Sequence, residues 1–336
     1  MRQDIIRSTV LNFWPDIILV DHMPHGAMGE LLATFEALKA AGARTRIVLG
    51  LRDILDAPEV IQQRWQVEGA YEAIERYYDA VLVYGMREVF DLAEQYRFPQ
   101  SVADRLRYCG YVCTPAPARH AAATRATCLG GANPDASLIV AMAGGGADAY
   151  PMMRAVLDAI PVVQAHQPCV LVLIAGPFMP EQLRDELQRR ANGLPVRVLI
   201  SVDDPLSYLE AADLVVSMAG YNTTVEILRV GKPAILIPRA GPSAEQRLRA
   251  MIFAARGWVG MANLEDLGAD TLGRMIVSRL RSDAREQAQT PPDLQGLAAS
   301  TAQLLSLLPL APQEGIQTRT IDLVKQAPAL MRAAGS

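Results

Sequence analysis

Ala211-Ala212-Asp213-Leu214-Val215-Val216-Ser217 runs straight into Met218-Ala219-Gly220-Tyr221-Asn222-Thr223-Thr224-Val225-Glu226, and this join decides the fold. Leu214–Ser217 is a brief apolar run, the length of a strand buried on both faces. Gly220 breaks it, and a helix-length segment opens whose start Asn222, Thr223 or Thr224 could cap. Strand, glycine turn and helix start together favour an anion, because free N–H groups at a helix N-terminus point outward. Glu226 falls in the first turn or two, where its carboxylate could accept from two adjacent ribose hydroxyls. The same Glu also reads as an ordinary complement to the helix dipole, and spacing does not choose between the two.

The pattern recurs upstream and downstream. An apolar run over 137–143 leads into Gly144-Gly145-Gly146, then Asp148, Tyr150 and Pro151. Glycines there either admit phosphate to the backbone or serve a tight turn with positive φ. The stretch is not a full Gly-x-Gly-x-x-Gly fingerprint. Downstream, Gly231-Lys232-Pro233 precedes a run at 234–237 and the loop Pro238-Arg239-Ala240-Gly241-Pro242-Ser243-Ala244-Glu245-Gln246. Glu245 and Gln246 open the next helix; they read either as contacts to sugar hydroxyls or as a solvated helix start.

Further apolar runs lie at 16–20, 46–50, 80–84 and, more briefly, 108–112, then at 169–175, 196–200 and 258–261. Helix-length stretches separate them, the βαβα rhythm of an α/β doubly wound parallel sheet. Residues 1–113 are expected as one domain, 114–135 as a linker, 136–310 as a second domain, and 311–336 as a break with a helix over 321–333. The first half carries fewer strands, so the sequence predicts a domain without its opening βα units.

Composition narrows the function. Of 336 residues 51% are hydrophobic and 20% charged, with a formal net charge of −4, so nucleic acid is not the expected partner. The 4 cysteines form no Cys-x-x-Cys unit and only 4 His are present, which argues against a zinc site. Asp203-Asp204 precedes Pro205 and suits a helix start better than a metal. No uninterrupted apolar span suggests a membrane crossing, and the N-terminus lacks a signal-peptide shape, so a cytoplasmic location is expected. Asp21 and His22 end the run at 16–20, where an imidazole oriented by a carboxylate could act as a general base or merely brace the next helix. Arg52-Asp53 reads as an internal ion pair or an acceptor contact, with the structural role preferred.

Taken in order, Gly144-Gly145-Gly146-x-Asp148, the 211–223 join, Glu226, Gly231-Lys232-Pro233-Ala234, Pro238-Arg239 and Glu245-Gln246 resemble the C-terminal domain of the peptidoglycan N-acetylglucosaminyl transferase family. The first half resembles a related group of bacterial predicted glycosyltransferases through Asp21-His22-x-Pro24-x-Gly26, Gly29-Glu30-Leu31, the Gly50-to-Asp56 stretch, Val83-Tyr84-Gly85 and Cys109-Gly110-Tyr111-Val112. The resemblance implies a GT-B fold of two Rossmann-like domains, the N-terminal one incomplete. It implies transfer of a sugar from a nucleotide-sugar, UDP-linked in the relatives, to a hydroxyl acceptor. The donor is a substrate, with no cofactor and no metal; helix dipoles and side chains activate the leaving diphosphate. The glycine turn would face the diphosphate, Glu226 the ribose, Glu245-Gln246 the donor sugar, and Ser201-Val202 the base. A lipid acceptor would bring peripheral membrane contact. The family's opening Gly-His loop has no counterpart here. That leaves two alternatives: a protein that holds a nucleotide-sugar without transfer, and a nucleotide-sugar 2-epimerase.

Overall fold

The computed structural model describes residues 1–114, 120–131, 133–266, 268–281 and 291–309. Strands β1 (Ile17–Asp21), β2 (Arg46–Arg52), β3 (Ala80–Tyr84) and β4 (Leu106–Tyr108) form a parallel sheet in chain order. A second parallel sheet is built from β5 (Ser137–Met142), β6 (Cys169–Ile174), β7 (Val196–Leu199), β8 (Leu214–Ser217), β9 (Ala234–Leu236) and β10 (Gly260–Met261). Its order is β10-β9-β8-β5-β6-β7. The strand order reverses between β5 and β8, which opens a crevice at their carboxyl ends.

Alternating side chains explain why these runs are strands. Ile139, Ala141, Leu171, Leu173 and Val216 pack on one face of the second sheet. Leu138, Val140, Val170, Val172 and Val215 pack on the other. A strand sends successive residues to opposite faces, so a run apolar throughout needs helices on both sides. The expected strands are all present, those at 80–84 and 214–217 with the expected ends and the others shifted; the short one near 108–112 lies earlier, at Leu106–Tyr108. Arg2–Phe13, a segment with no clear sequence period, is a helix.

Two expectations about organisation are corrected. Helix Ala121–Leu129 occupies much of the stretch expected as a linker and belongs to the second sheet. Its Cys128 is buried in that core, and Arg125 donates to Asp213 Oδ2 at 2.9 Å and to Ala211 O at 2.8 Å. Helix Gly296–Ser306, inside the range expected for the second domain, returns to the first sheet. There Ala299, Leu304 and Leu307 cover Val48, Ala80, Leu82 and Cys109. The helix expected at 321–333 lies outside the described residues.

The outgoing and returning chain segments bond to each other. Tyr111 N–H donates to Asp293 O at 2.7 Å, and Gly296 N–H to Tyr111 O at 3.1 Å. A Cβ on Gly296 would lie 2.5 Å from the Tyr111 carbonyl carbon, so only glycine fits this crossing. The Tyr111 ring meets Phe253 and Trp258 of the second half edge-on, with centroids 5.6 and 6.2 Å apart. All four cysteines are unpaired.

Candidate functional site

A cleft of about 300 Å³ opens at the β5/β8 crevice. One wall is the glycine turn after β5, here Gly144–Gly146 with Asp148; another is Gly220, Asn222 and Thr223 after β8. Gln246 closes a third side, and Arg52 reaches in from the first sheet.

Backbone packing shapes the turn. Gly144 and Gly146 have φ of +56° and +83°, a region that L side chains rarely adopt. A Cβ on Gly146 would fall 2.0 Å from Ala175 O and 2.8 Å from Gly176 Cα. The loops after β5 and β6 therefore touch backbone to backbone, joined by a Phe178 N–H to Gly145 O bond of 2.9 Å. Gly146 is a packing requirement. Gly144 is different: a Cβ there would meet nothing nearer than Thr223 Oγ1 at 3.9 Å, so its backbone faces open cleft. On the cleft floor the Ser217 hydroxyl donates to Met142 O at 2.7 Å. This bond spans β5 and β8 and fixes the spacing of turn and helix start.

Helix Tyr221–Val230 begins with Gly220 as its N-cap and has no side-chain cap. The expected cap at Asn222, Thr223 or Thr224 is thus corrected: all three lie inside the helix, because Gly220 already takes the non-helical conformation an N-cap needs. The first intrahelical bond runs from Thr224 N–H to Gly220 O, at 3.0 Å. The N–H groups of the preceding turn are not used by the helix and face the cleft end. Asn222 and Thr223 line the cleft. Thr224 does not: it is fully buried, and its hydroxyl has no hydrogen-bond partner among the described residues.

Glu226 sits one turn deeper, at i+4 from Asn222 and i+3 from Thr223, so it shares their helix face. Glu226 itself is not among the residues that line the cleft, and its charge acts on the Cys113 thiol behind the helix start. Burial pushes the Glu226 pKa up, against the opposing effect of Arg229.

The remaining predicted residues divide. Gln246 lines the cleft and accepts from Arg239 N–H at 3.2 Å through Oε1, which leaves its amide N–H₂ as a donor. The Arg239 guanidinium pairs with Asp148 at 3.3 Å and lines a smaller adjoining hollow. Glu245 is turned to Arg249, 3.1 Å from Nη1, and does not line the cleft. Val202 packs against the second-sheet core at the far end beyond β7. Nearby, Asp204 caps the helix Pro205–Ala211 by accepting from Ser207 N–H at 3.1 Å.

His22 follows β1 with φ +67°. Burial pulls its pKa down, and the charges of Arg52 and Arg64 add to this, while Asp21 and Glu245 oppose it. His22 is not among the residues that line the cleft. The expected orientation by Asp21 is corrected: His22 Nδ1 has no hydrogen-bond partner among the described residues, and exposed Asp21 follows strand alternation to the other side.

Arg52-Asp53 is not a pair with itself. Asp53 is buried and takes bonds from Arg249 Nη2 at 2.7 Å and Nε at 3.1 Å. Arg52 points into the cleft, its guanidinium 5.9 Å from the Tyr221 ring centroid. Sequence reasoning missed this because the partner that frees Arg52 lies in the other half. Tyr221 joins the halves as well, its hydroxyl accepting from Val112 N–H at 2.9 Å.

The glycosyltransferase family 28 C-terminal domain matches residues 139–302. The UDP-N-acetylglucosamine--N-acetylmuramyl-(pentapeptide) pyrophosphoryl-undecaprenol N-acetylglucosamine transferase of Acidothermus cellulolyticus is 30% identical over 194 residues, covering 57% of this chain and 48% of the relative. The chain thus spans about half the length of that curated relative. Among solved structures, the glycotransferase of kitacinnamycin superposes with a TM-score of 0.57 at 16% identity, over 91% of this chain and 80% of that one. Anabaena HepE in complex with UDP-glucose gives 0.56 at 17%, over 91% and 82%. These structural likenesses establish the fold, which is GT-B.

Proposed function

We propose that this chain, which carries a glycosyltransferase family 28 C-terminal domain on a GT-B frame, moves a sugar from a UDP-linked donor to a hydroxyl acceptor. One observation carries the reading: the open glycine turn at Gly144, the free helix start at Gly220 and the Gln246 amide converge on one cleft at the sheet's switch point. Backbone N–H groups and a helix dipole aimed at one spot stabilise the charge that develops on a leaving diphosphate. Glu226 holds the ribose from the next turn of the same helix. Neutral His22, across the crevice, takes the acceptor proton. The donors of curated relatives are UDP-sugars by name, which favours uridine here.

An epimerase of the same fold is the weaker reading. It needs acid and base carboxylates at the sugar, and the one carboxylate among the cleft's lining residues, Asp148, is paired with Arg239. Among the described residues no helix is long and apolar enough to cross a membrane, so a lipid acceptor would be met from the surface.

Calorimetric titration with UDP, without added metal, tests the donor site, and UDP release from UDP-sugars in the presence of hydroxyl acceptors tests transfer. Saturable binding that Glu226→Ala weakens by roughly tenfold or more is expected, as for a lost charge-assisted bond. Equal affinity in that variant removes Glu226 from the ribose. Binding without turnover would leave a nucleotide-sugar-binding protein.

A further inference from the structure

We infer that Arg52, supplied by the first sheet, completes the diphosphate subsite from across the cleft. The inference rests on the donor-site reading above and adds to it a group that the second sheet does not supply.

Arg52 is the last residue of β2 and lines the cleft with the glycine turn and the start of the Tyr221 helix. Two other arginines around the crevice are matched: Arg249 has Asp53 and Glu245, and Arg239 has Asp148. Arg52 forms no ion pair with a carboxylate among the described residues. The acid next to it in sequence, Asp53, is already taken by Arg249. Its guanidinium lies over the face of Tyr221, which steadies it without neutralising it.

A cation left unmatched among backbone N–H donors calls for an anion with more than one charge. Guanidinium binds phosphate oxygens through two parallel N–H bonds, a geometry that a lysine cannot reproduce. In transfer, the acceptor hydroxyl oxygen bonds the anomeric carbon and gives its proton to His22. The bond from that carbon to the diphosphate oxygen breaks, and the electron pair stays on the diphosphate. Arg52 faces the charge that this creates, so it acts on departure as well as on binding. Its field also holds the His22 pKa down. A bound diphosphate that neutralises Arg52 would therefore make His22 more basic.

The test titrates UDP and, separately, inorganic pyrophosphate into the parent chain, Arg52→Ala, Arg52→Lys and Arg52→Gln. The glutamine variant keeps a polar stem beside Tyr221 and guards against a folding failure. Loss of Arg52 should weaken both probes roughly 10- to 100-fold, with partial recovery in Arg52→Lys. Arg52→Gln should by itself raise the His22 pKa in the free protein, read by proton NMR, because one of the charges that lowers it is gone. Parent-like UDP and pyrophosphate affinity in folded Arg52→Gln overturns the inference and leaves the donor reading standing. Pyrophosphate binding lost with Arg52, in a parent that does not bind UDP, keeps the anion site and overturns the nucleotide reading. A parent that binds neither probe overturns both.

Discussion

Asp53 and Arg249 form a buried ion pair that joins the two sheets: Arg249 Nη2 lies 2.7 Å from Asp53 Oδ1, and neither side chain is more than 2% exposed. Burial alone would lower the guanidinium pKa, but the charges of Asp53 and Glu245 more than reverse it and hold it above its ordinary value. Arg249 also donates to Ala219 O at 2.7 Å, directly before the Gly220 helix start. The pair therefore sets the position of the helix end that faces the cleft.

Removing one partner of such a pair leaves a buried charge uncompensated. Asp53→Ala is expected to cost about 3–5 kcal/mol. Urea unfolding checks this. Asp53→Leu combined with Arg249→Met should recover much of the loss, since an apolar replacement leaves no charge behind. A single variant as stable as the parent would show that Glu245 alone satisfies Arg249.

The glycines of the turn should separate by function. Gly146→Ala meets Ala175 O at 2.0 Å and needs a left-handed residue, and should lose at least about 2 kcal/mol of stability. Gly145→Ala meets only the exposed Phe178 ring at 3.1 Å and should change stability by less than about 1 kcal/mol. Gly144→Ala has room for its Cβ but must hold a φ of +56°, so it should cost about 1–2 kcal/mol, less than Gly146→Ala, and weaken UDP binding as well. Thermal melts and UDP titrations on the three variants give the ordering, and equal melts for Gly145→Ala and Gly146→Ala would contradict the loop contact.

Acid should loosen the fold through His22. Its pKa is lowered from 6.5 by burial and by Arg52 and Arg64, so below pH 6.5 the unfolded chain binds the proton more readily than the folded one. Stability from this group is present above pH 6.5 and is lost as pH falls toward the folded value. The difference in unfolding free energy between the parent and His22→Gln, measured from pH 7.5 downward, should shrink below pH 6.5. A constant difference would mean that His22 is not held neutral. The kcat/KM for transfer should hold down to pH 6.5 and below before its acid limb begins, because that ratio reports the base in the free protein, where His22 stays unprotonated.

What the sequence made legible was local. Runs such as 214–217 and 80–84 announced strands because an apolar stretch that short has one stable setting, the interior of a parallel sheet. The glycine turn and the following helix starts were legible for the same reason, since a break and a helix origin are neighbours in the chain. The Asp53–Arg249 pair, whose members are 196 positions apart, leaves no local mark. Without it Arg52 could not be told from a structural arginine. Thr224 beside Thr223 shows the other limit: one residue of helical rotation puts one hydroxyl in the cleft and the next in the core, and only the axis direction decides which.

The returning helix Gly296–Ser306 has a bearing on how the chain comes to fold. It covers the face of the first sheet formed by Val48, Ala80, Leu82 and Cys109, yet it is made only after every strand of the second sheet. During synthesis, domains ordinarily close in the order they emerge. Here the portion made first waits, one apolar face bare, for the portion made last. Contacts so distant along the chain are slow to form, so the final docking of this helix, and not the assembly of either sheet, sets when the newborn protein is whole.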